Sequence, residues 1–260
     1  MEKALVLVLG LAGGSFLGVV VSRWERGFGK KRVNWREVFG LSRWKRSCCD
    51  SCRRSLFWWE NVPLLSFLFV KGRCGTCRAP IPFWYFLVEL GTATIFFLAY
   101  LFWAKSGEGV FSLLVYLFIS FLLFFVFVFD WRNQLIPNEV VGGLIALSLF
   151  LGFSLPAFFS GLGGVFFLLF LHFLTRGKGM GLGDVKLAFF MGLFLGWPKT
   201  GVAFYLAFLT GGIFGVIMVL LKKAKLKGKV PFGPFLVGGT FAAWWWGDWI
   251  WSIAFRWLEM

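Results

Sequence analysis

Apolar residues run through this chain in eight blocks, about 4–22, 83–104, 110–129, 139–155, 157–174, 185–197, 200–221 and 232–256, parted by short polar or glycine-rich stretches. A helix needs roughly 17 to 25 residues to cross a bilayer, so the pattern predicts an all-α polytopic membrane protein with about eight transmembrane helices. The sixth block is short. It cannot be fused with the seventh, because at about 1.5 Å per residue the joined helix would reach nearly twice the hydrocarbon thickness. Trp197-Pro198 supplies the break between them. The one long polar interruption, 23–82, separates the first block from the second.

Composition agrees: 59% of residues are hydrophobic and 21% aromatic, and the mean hydropathy is +0.79. A soluble domain would not need so many apolar runs. Orientation follows from lysine and arginine. Fourteen of the 27 basic residues fall in 23–82, which the positive-inside rule places in the cytoplasm. Alternating from there, Arg132, then Arg176, Lys178 and Lys186, then Lys222, Lys223, Lys225, Lys227 and Lys229 are also inside, leaving Lys3, Lys105, Lys199 and Arg256 outside. The partition supports eight spans with both termini outside the cytoplasm. The net charge of +15 is thereby explained by topology and contact with anionic lipid, not by nucleic acid. The first block lacks a small-residue cleavage site and reads as a retained span packed closely through Gly10, Gly13, Gly14, Ser15 and Gly18.

Four of the five cysteines in 23–82 form two pairs, Cys49-Asp50-Ser51-Cys52 and Cys74-Gly75-Thr76-Cys77, with 21 residues between them. Two C-x-x-C knuckles at this spacing place four thiolates tetrahedrally around a zinc ion, and a reducing cytosol disfavours disulfides. The segment's apolar positions concentrate in the patch from Trp58 to Val70, a small core that a metal would help hold. Cys48 is the odd member: counted from it the third residue on is Ser51, so Cys49 and Cys52 make the better pair. The division expected is therefore 1–22 as the first transmembrane helix, 23–82 as a cytoplasmic zinc-binding domain, and 83–260 as a membrane-embedded core.

Two aspartates stand out in that core. Asp184 ends Gly179-Met180-Gly181-Leu182-Gly183-Asp184-Val185-Lys186, where alternate glycines let the backbone open and another chain come close. Asp130 closes the third block, before Trp131-Arg132-Asn133-Gln134-Leu135-Ile136-Pro137-Asn138. Charged groups at membrane depth are costly and are kept where they act. In the eight-span topology both sit at the cytoplasmic face, as activation of a water by a carboxylate pair requires. Glu89, about two turns into the second span, is a further candidate. Glu139 follows Asn138 at a helix start and is explained by capping and the first turn. His172 reads as an interface residue, and Asp248, among tryptophans, as a solvated one in an aromatic belt. Val230-Pro231-Phe232-Gly233-Pro234-Phe235 opens the last span with irregular backbone that should line a cavity or be buried in protein.

This ordered set resembles the bacterial type IV prepilin peptidases, or leader peptidases and N-methyltransferases, of the GxGD class of intramembrane aspartyl proteases. Carrying the resemblance are Gly14-Ser15-Phe16-Leu17, the two cysteine knuckles with Asn61-Val62-Pro63 and Gly72-Arg73-Cys74, and Glu89-Leu90. Asp130 with Ile136-Pro137-Asn138, then Gly179 to Leu187, then Pro231-Phe232-Gly233-Pro234-Phe235 complete it. Departures are Gly18 where asparagine is usual, Trp24 after Arg23 where Leu-Pro is common, and Asp50 for a frequent proline. The resemblance implies Asp130 and Asp184 as the catalytic pair, with Gly181, Gly183, Lys186, Glu89, Pro231, Gly233 and Pro234 as substrate-binding or supporting residues. It also implies that the leader of a type IV prepilin or pseudopilin is cut at the cytoplasmic face of the inner membrane. Methylation of the new N-terminus with S-adenosylmethionine is associated with relatives that carry the cysteine segment.

Two other classes fit parts of the pattern. A secondary transporter or channel also places carboxylates beside broken helices, but gives no reason for the cysteine knuckles, and the chain shows no internal repeat. A membrane-anchored zinc-ribbon adaptor explains the cysteines and leaves both aspartates idle.

Overall fold

The structure, a computed structural model, describes residues 2–27, 47–49, 51–177, 180–221 and 231–255. Asp50, Lys178, Gly179, Val230, Arg256 and the basic residues Lys222, Lys223, Lys225, Lys227 and Lys229 lie outside the described residues. Each of the eight apolar blocks forms one helix: α1 (Glu2–Gly27), α2 (Trp84–Ser106), α3 (Val110–Asn133), α4 (Asn138–Gly152), α5 (Leu155–Leu174), α6 (Leu182–Leu195), α7 (Lys199–Leu220) and α8 (Gly233–Phe255). No strand occurs among the described residues, only two isolated bridges. Among the described residues α1, α2, α3, α5 and α7 are each long and apolar enough to cross a membrane, so this is an all-α, multi-pass membrane protein.

The chain divides into two compact units, Met1–Phe121 and Leu122–Met260. In the first, α1 lies along α2 on a stripe of small residues spaced by four. A Cβ on Gly10 would come within 2.7 Å of Ala93 Cα, one on Gly14 within 2.6 Å of Glu89 Cα, and one on Gly18 within 2.9 Å of the Tyr85 ring. Positions four apart share one helix face, and in lipid, where apolar contact alone gives little drive, backbone approach of this kind holds helices together. Val6, Phe96, Ala99, Tyr100 and Leu117 form the adjoining core.

The segment between α1 and α2 holds a short 3₁₀ turn (Trp58–Asn61) and a short helix (Leu65–Phe69). Here the structure departs from expectation. The patch from Trp58 to Val70 is not a core, since Trp58 is 81% and Phe69 75% exposed. Among the segment's described residues Cys74 alone is buried. So short a stretch folded around its cysteines has too little volume to enclose these large side chains.

In the second unit α6 is the hub, packed against α4, α5, α7 and α8. Its Leu187, Ala188, Phe190 and Met191 have no exposed surface. A Cβ on Gly192 would collide with the backbone of Gly161 on α5, and one on Gly161 would sit 3.0 Å from Phe189, so α5 and α6 touch almost backbone to backbone. Fourteen residues rise about 21 Å, less than the roughly 30 Å of a hydrocarbon core. A helix enclosed by others can be this short, and its polar first turn then lies in protein instead of lipid. The Trp197-Pro198 break falls as expected, with α6 ending at Leu195 and α7 starting at Lys199.

Candidate active site and cysteine cluster

Asp130 lies in the last turn of α3. That helix ends where Gln134, at φ 51°, turns left-handed and returns its N–H to the Asp130 carbonyl at 2.8 Å. Asp184 is the third residue of α6. Its Oδ2 accepts the N–H of Gly181, the residue before that helix, at 2.9 Å, where an anionic group also meets the positive helix end. Asp130 Oδ2 accepts the N–H of Gly233, the first residue of α8, at 3.0 Å. Two separate glycine turns thus catch one oxygen of each carboxylate. Among the described residues no donor reaches either Oδ1. The two aspartates are 5% and 7% exposed, and Ile136 lies against both Gly183, the neighbour of Asp184, and Gly233, the partner of Asp130.

Except for Glu89, the other expected residues belong to the same unit as this pair. A Cβ on Gly233 would come 2.6 Å from Asp130 Oδ2, and one on Gly183 3.0 Å from Ile136 Cβ. Pro231 precedes α8, and Pro234 stands in its first turn, where a missing N–H costs nothing. Lys186 Nζ donates to Asn138 Oδ1 at 2.9 Å. This corrects the expectation that Asn138 caps α4: Pro137 occupies the cap position, and the Asn138 side chain ties α4 to α6 instead. Glu139 is in the first turn of α4 as expected. Asp248 is exposed and paired with Lys199 at 2.8 Å.

Sequence reasoning singled out neither Ile136 nor the contact of His172 as part of the site. Ile136 fills the space between Gly183 and Gly233, with its Cδ1 3.2 Å from where a Gly233 Cβ would be. His172 Nδ1 meets the Met180 carbonyl at 2.7 Å, fastening the end of α5 to the turn that delivers Gly181 and Asp184. Nothing in a lone histidine among phenylalanines signals that partner. Glu89 belongs to the first unit: its carboxylate accepts the Leu64 N–H at 2.8 Å, clamping the segment before the short helix onto α2.

The cysteine segment folds as two matching knuckles. Arg53 donates to the Cys49 carbonyl and Arg78 to that of Cys74, each at 3.0 Å, and the residue after each second cysteine is left-handed, Arg53 at φ 57° and Arg78 at φ 54°. All four Sγ atoms of Cys49, Cys52, Cys74 and Cys77 lie within 4.8 Å of one another. Cys49 Sγ and Cys77 Sγ are 3.7 Å apart, close to the edge of about 3.8 Å that a tetrahedron of Zn–S bonds of about 2.3 Å would have. The N–H groups of Cys77 and Thr76 pull the Cys74 thiol down to about 6. For Cys77, the Ala79 N–H favours the thiolate, but partial loss of hydration and the neighbouring thiols push it up to about 11. Four thiols this crowded cannot all ionise without a cation among them. Arg54, bonded to Glu60 at 2.6 Å, also reaches Cys74 and would offset the surplus negative charge of such a site. Cys48 is exposed and paired in a bridge with Ser55, outside the cluster.

If Asp130 carries the reaction that the sequence resemblance implies, replacing Gly233 by Ala lowers hydrolytic turnover about 100-fold, because a Cβ there must displace Asp130, and an ångström of misplacement at reacting groups costs that much. Steady-state kinetics of G233A beside G238A, a position in the same helix with open space around it, tests this.

Residues 8–103 match the family model of the bacterial peptidase A24 N-terminal domain, and residues 116–216 that of the type IV leader peptidase family. No solved structure matches the chain. Among characterised proteins it is 35% identical to the prepilin leader peptidase/N-methyltransferase of Pseudomonas aeruginosa, over 93% of this chain and 89% of that one. The protein of the same name from Aeromonas salmonicida is 33% identical over 94% of this chain and 91% of its own length. That from Bacillus subtilis is 37% identical over 78% of this chain and 82% of its own length. Full-length similarity at this level, with both family models matched in order, means that the chain belongs to the prepilin leader peptidase/N-methyltransferase family.

Proposed function

We propose that this protein cuts the basic leader from type IV prepilins or pseudopilins with Asp130 and Asp184, and methylates the N-terminus so exposed. What carries the reading is the carboxylate pair: each has one oxygen held by a glycine N–H and, among the described residues, no donor on the other, inside a packed helical unit. Two carboxylates in electrostatic contact share a proton more readily than they ionise together. The ionised one takes a proton from a water whose oxygen bonds to the scissile carbonyl carbon, and the protonated one gives its proton to the carbonyl oxygen. Collapse of that intermediate breaks the C–N bond, with a proton passing to the leaving amine. Gly233 and Gly181 hold the two carboxylates, while Ile136 and the Lys186–Asn138 contact keep α4, α6 and the start of α8 in register.

The basic residues of 23–82 support a cytoplasmic location for this segment and for the site, in an inner membrane crossed eight times. Cys49, Cys52, Cys74 and Cys77 would hold a structural zinc ion. The division into 1–22, 23–82 and 83–260 then assigns 23–82 to methyl transfer and 83–260 to hydrolysis, with 1–22 as the first transmembrane helix. S-adenosylmethionine is the methyl donor that the second activity calls for. Co-expression with a prepilin, followed by intact-mass spectrometry of the pilin, tests both halves: loss of the leader with one added methyl group is expected. A pilin that keeps its leader would overturn the hydrolytic assignment.

A further inference from the structure

We propose that the aromatic edge of the cysteine segment, Phe57, Trp58, Leu65, Leu68 and Phe69, seats in the headgroup region of an anionic bilayer beside the entry of α2. These five side chains are each more than half exposed. Leu65, Leu68 and Phe69 stand at i, i+3 and i+4 of the short helix, one continuous face, and Trp58 and Phe57 flank it from the adjoining turn. Exposed tryptophans and phenylalanines at membrane entry are what an interfacial anchor is built from.

The depth of this edge follows from two fastenings. Leu64, the residue before the short helix, donates its N–H to Glu89, five positions past the first residue of α2, or about 7.5 Å along that helix. On the inner face Phe67 packs against Phe83 and Phe86, with ring centroids 5.9 and 5.4 Å apart. The apolar edge is therefore held beside the opening turns of a membrane-crossing helix, whose Phe83, Leu87 and Leu90 are also exposed. It continues their lipid-facing surface.

Charge points to the same occupant. Arg53, Lys71, Arg73 and Arg78 are exposed, and the only acid in 51–83, Glu60, is bonded to Arg54. An exposed apolar edge in a segment whose described surface also carries these cations fits anionic lipid, each basic group near the surface adding to the attraction. A second copy of this chain would set those cations against each other. The arrangement also suits the methyl transfer proposed above, on which this purpose rests: the amine is exposed by a cut at the membrane face, so the modifying segment has to work at membrane level.

The test uses the full chain in nanodiscs containing phosphatidylglycerol, with photoreactive benzoylphenylalanine placed at Trp58, at Phe69, or at the exposed Thr76 of the second knuckle. Replacing an exposed aromatic by another leaves the fold unchanged, and intact-mass spectrometry after illumination reads the adducts without reference to either enzyme activity. Lipid adducts at both 58 and 69, about fivefold above the yield at 76, are expected of an interfacial edge. Enrichment at fewer than both sites overturns the proposal, and so does a crosslink to a second copy or to added prepilin in place of lipid. Failure of leader cleavage in the same preparation would count against the hydrolytic assignment alone.

Discussion

Asp184→Asn is expected to abolish leader cleavage, by on the order of 10³-fold or more, while the protein stays folded. The amide keeps an oxygen for the Gly181 N–H, so the first turn of α6 retains its bond. It cannot take a proton from water or hold one for the carbonyl. The same holds for Asp130→Asn, whose amide oxygen still meets Gly233. If the two act as a unit, as proposed, the double variant should lose no more than either single one. The measurement is cleavage of a co-expressed prepilin in membranes, with detergent-solubilised protein checked for unchanged elution and helicity. Wild-type cleavage in Asp184→Asn would remove that carboxylate from the mechanism, and additive losses would mean that the two do not share one step.

Most of the helical architecture was legible because lipid imposes a simple rule on sequence: backbone in hydrocarbon must be helical, and its side chains apolar. All eight blocks form helices, yet their ends were read less well. The third block was expected to end at Phe129, but α3 runs to Asn133 and carries Asp130 inside its last turn. Hydropathy registers where lipid ends, not where hydrogen bonding ends. The aspartates themselves were legible as rare charges amid apolar runs. Their geometry was not, because Gly233 lies 103 residues from Asp130, and no local pattern tells which N–H a carboxylate will find. Asn138 looked like a cap from its neighbours and instead received Lys186 from another helix. The patch around Trp58 misled for a different reason. Clustered aromatics signal burial, but sequence does not say whether they are buried in protein or left at its surface.

The cysteine cluster provides the cleanest way to separate the two activities. Cys49→Ser with Cys74→Ser removes one sulfur from each knuckle, including the only buried cysteine. Structural zinc typically contributes on the order of 10 kcal/mol of apparent binding energy in small domains that fold around it. The described residues of this segment cannot replace that by burial, since Phe57, Trp58, Trp59, Leu65, Leu68 and Phe69 are exposed. The double variant is therefore expected to lose its metal and the order of its knuckles. Asp130 and Asp184, with the glycine turns that hold them, belong to the other compact unit, so leader cleavage should persist at a substantial level. Methylation should fall below detection if the segment serves methyl transfer. Plasma mass spectrometry of the purified protein reports the metal, and intact mass of the processed pilin reports both reactions. Full methylation by a metal-free variant would detach the cluster from that activity and leave it as a clasp for the segment between α1 and α2. Loss of cleavage along with methylation would instead show that the glycine-held aspartates depend on an ordered cysteine segment, whatever binds there.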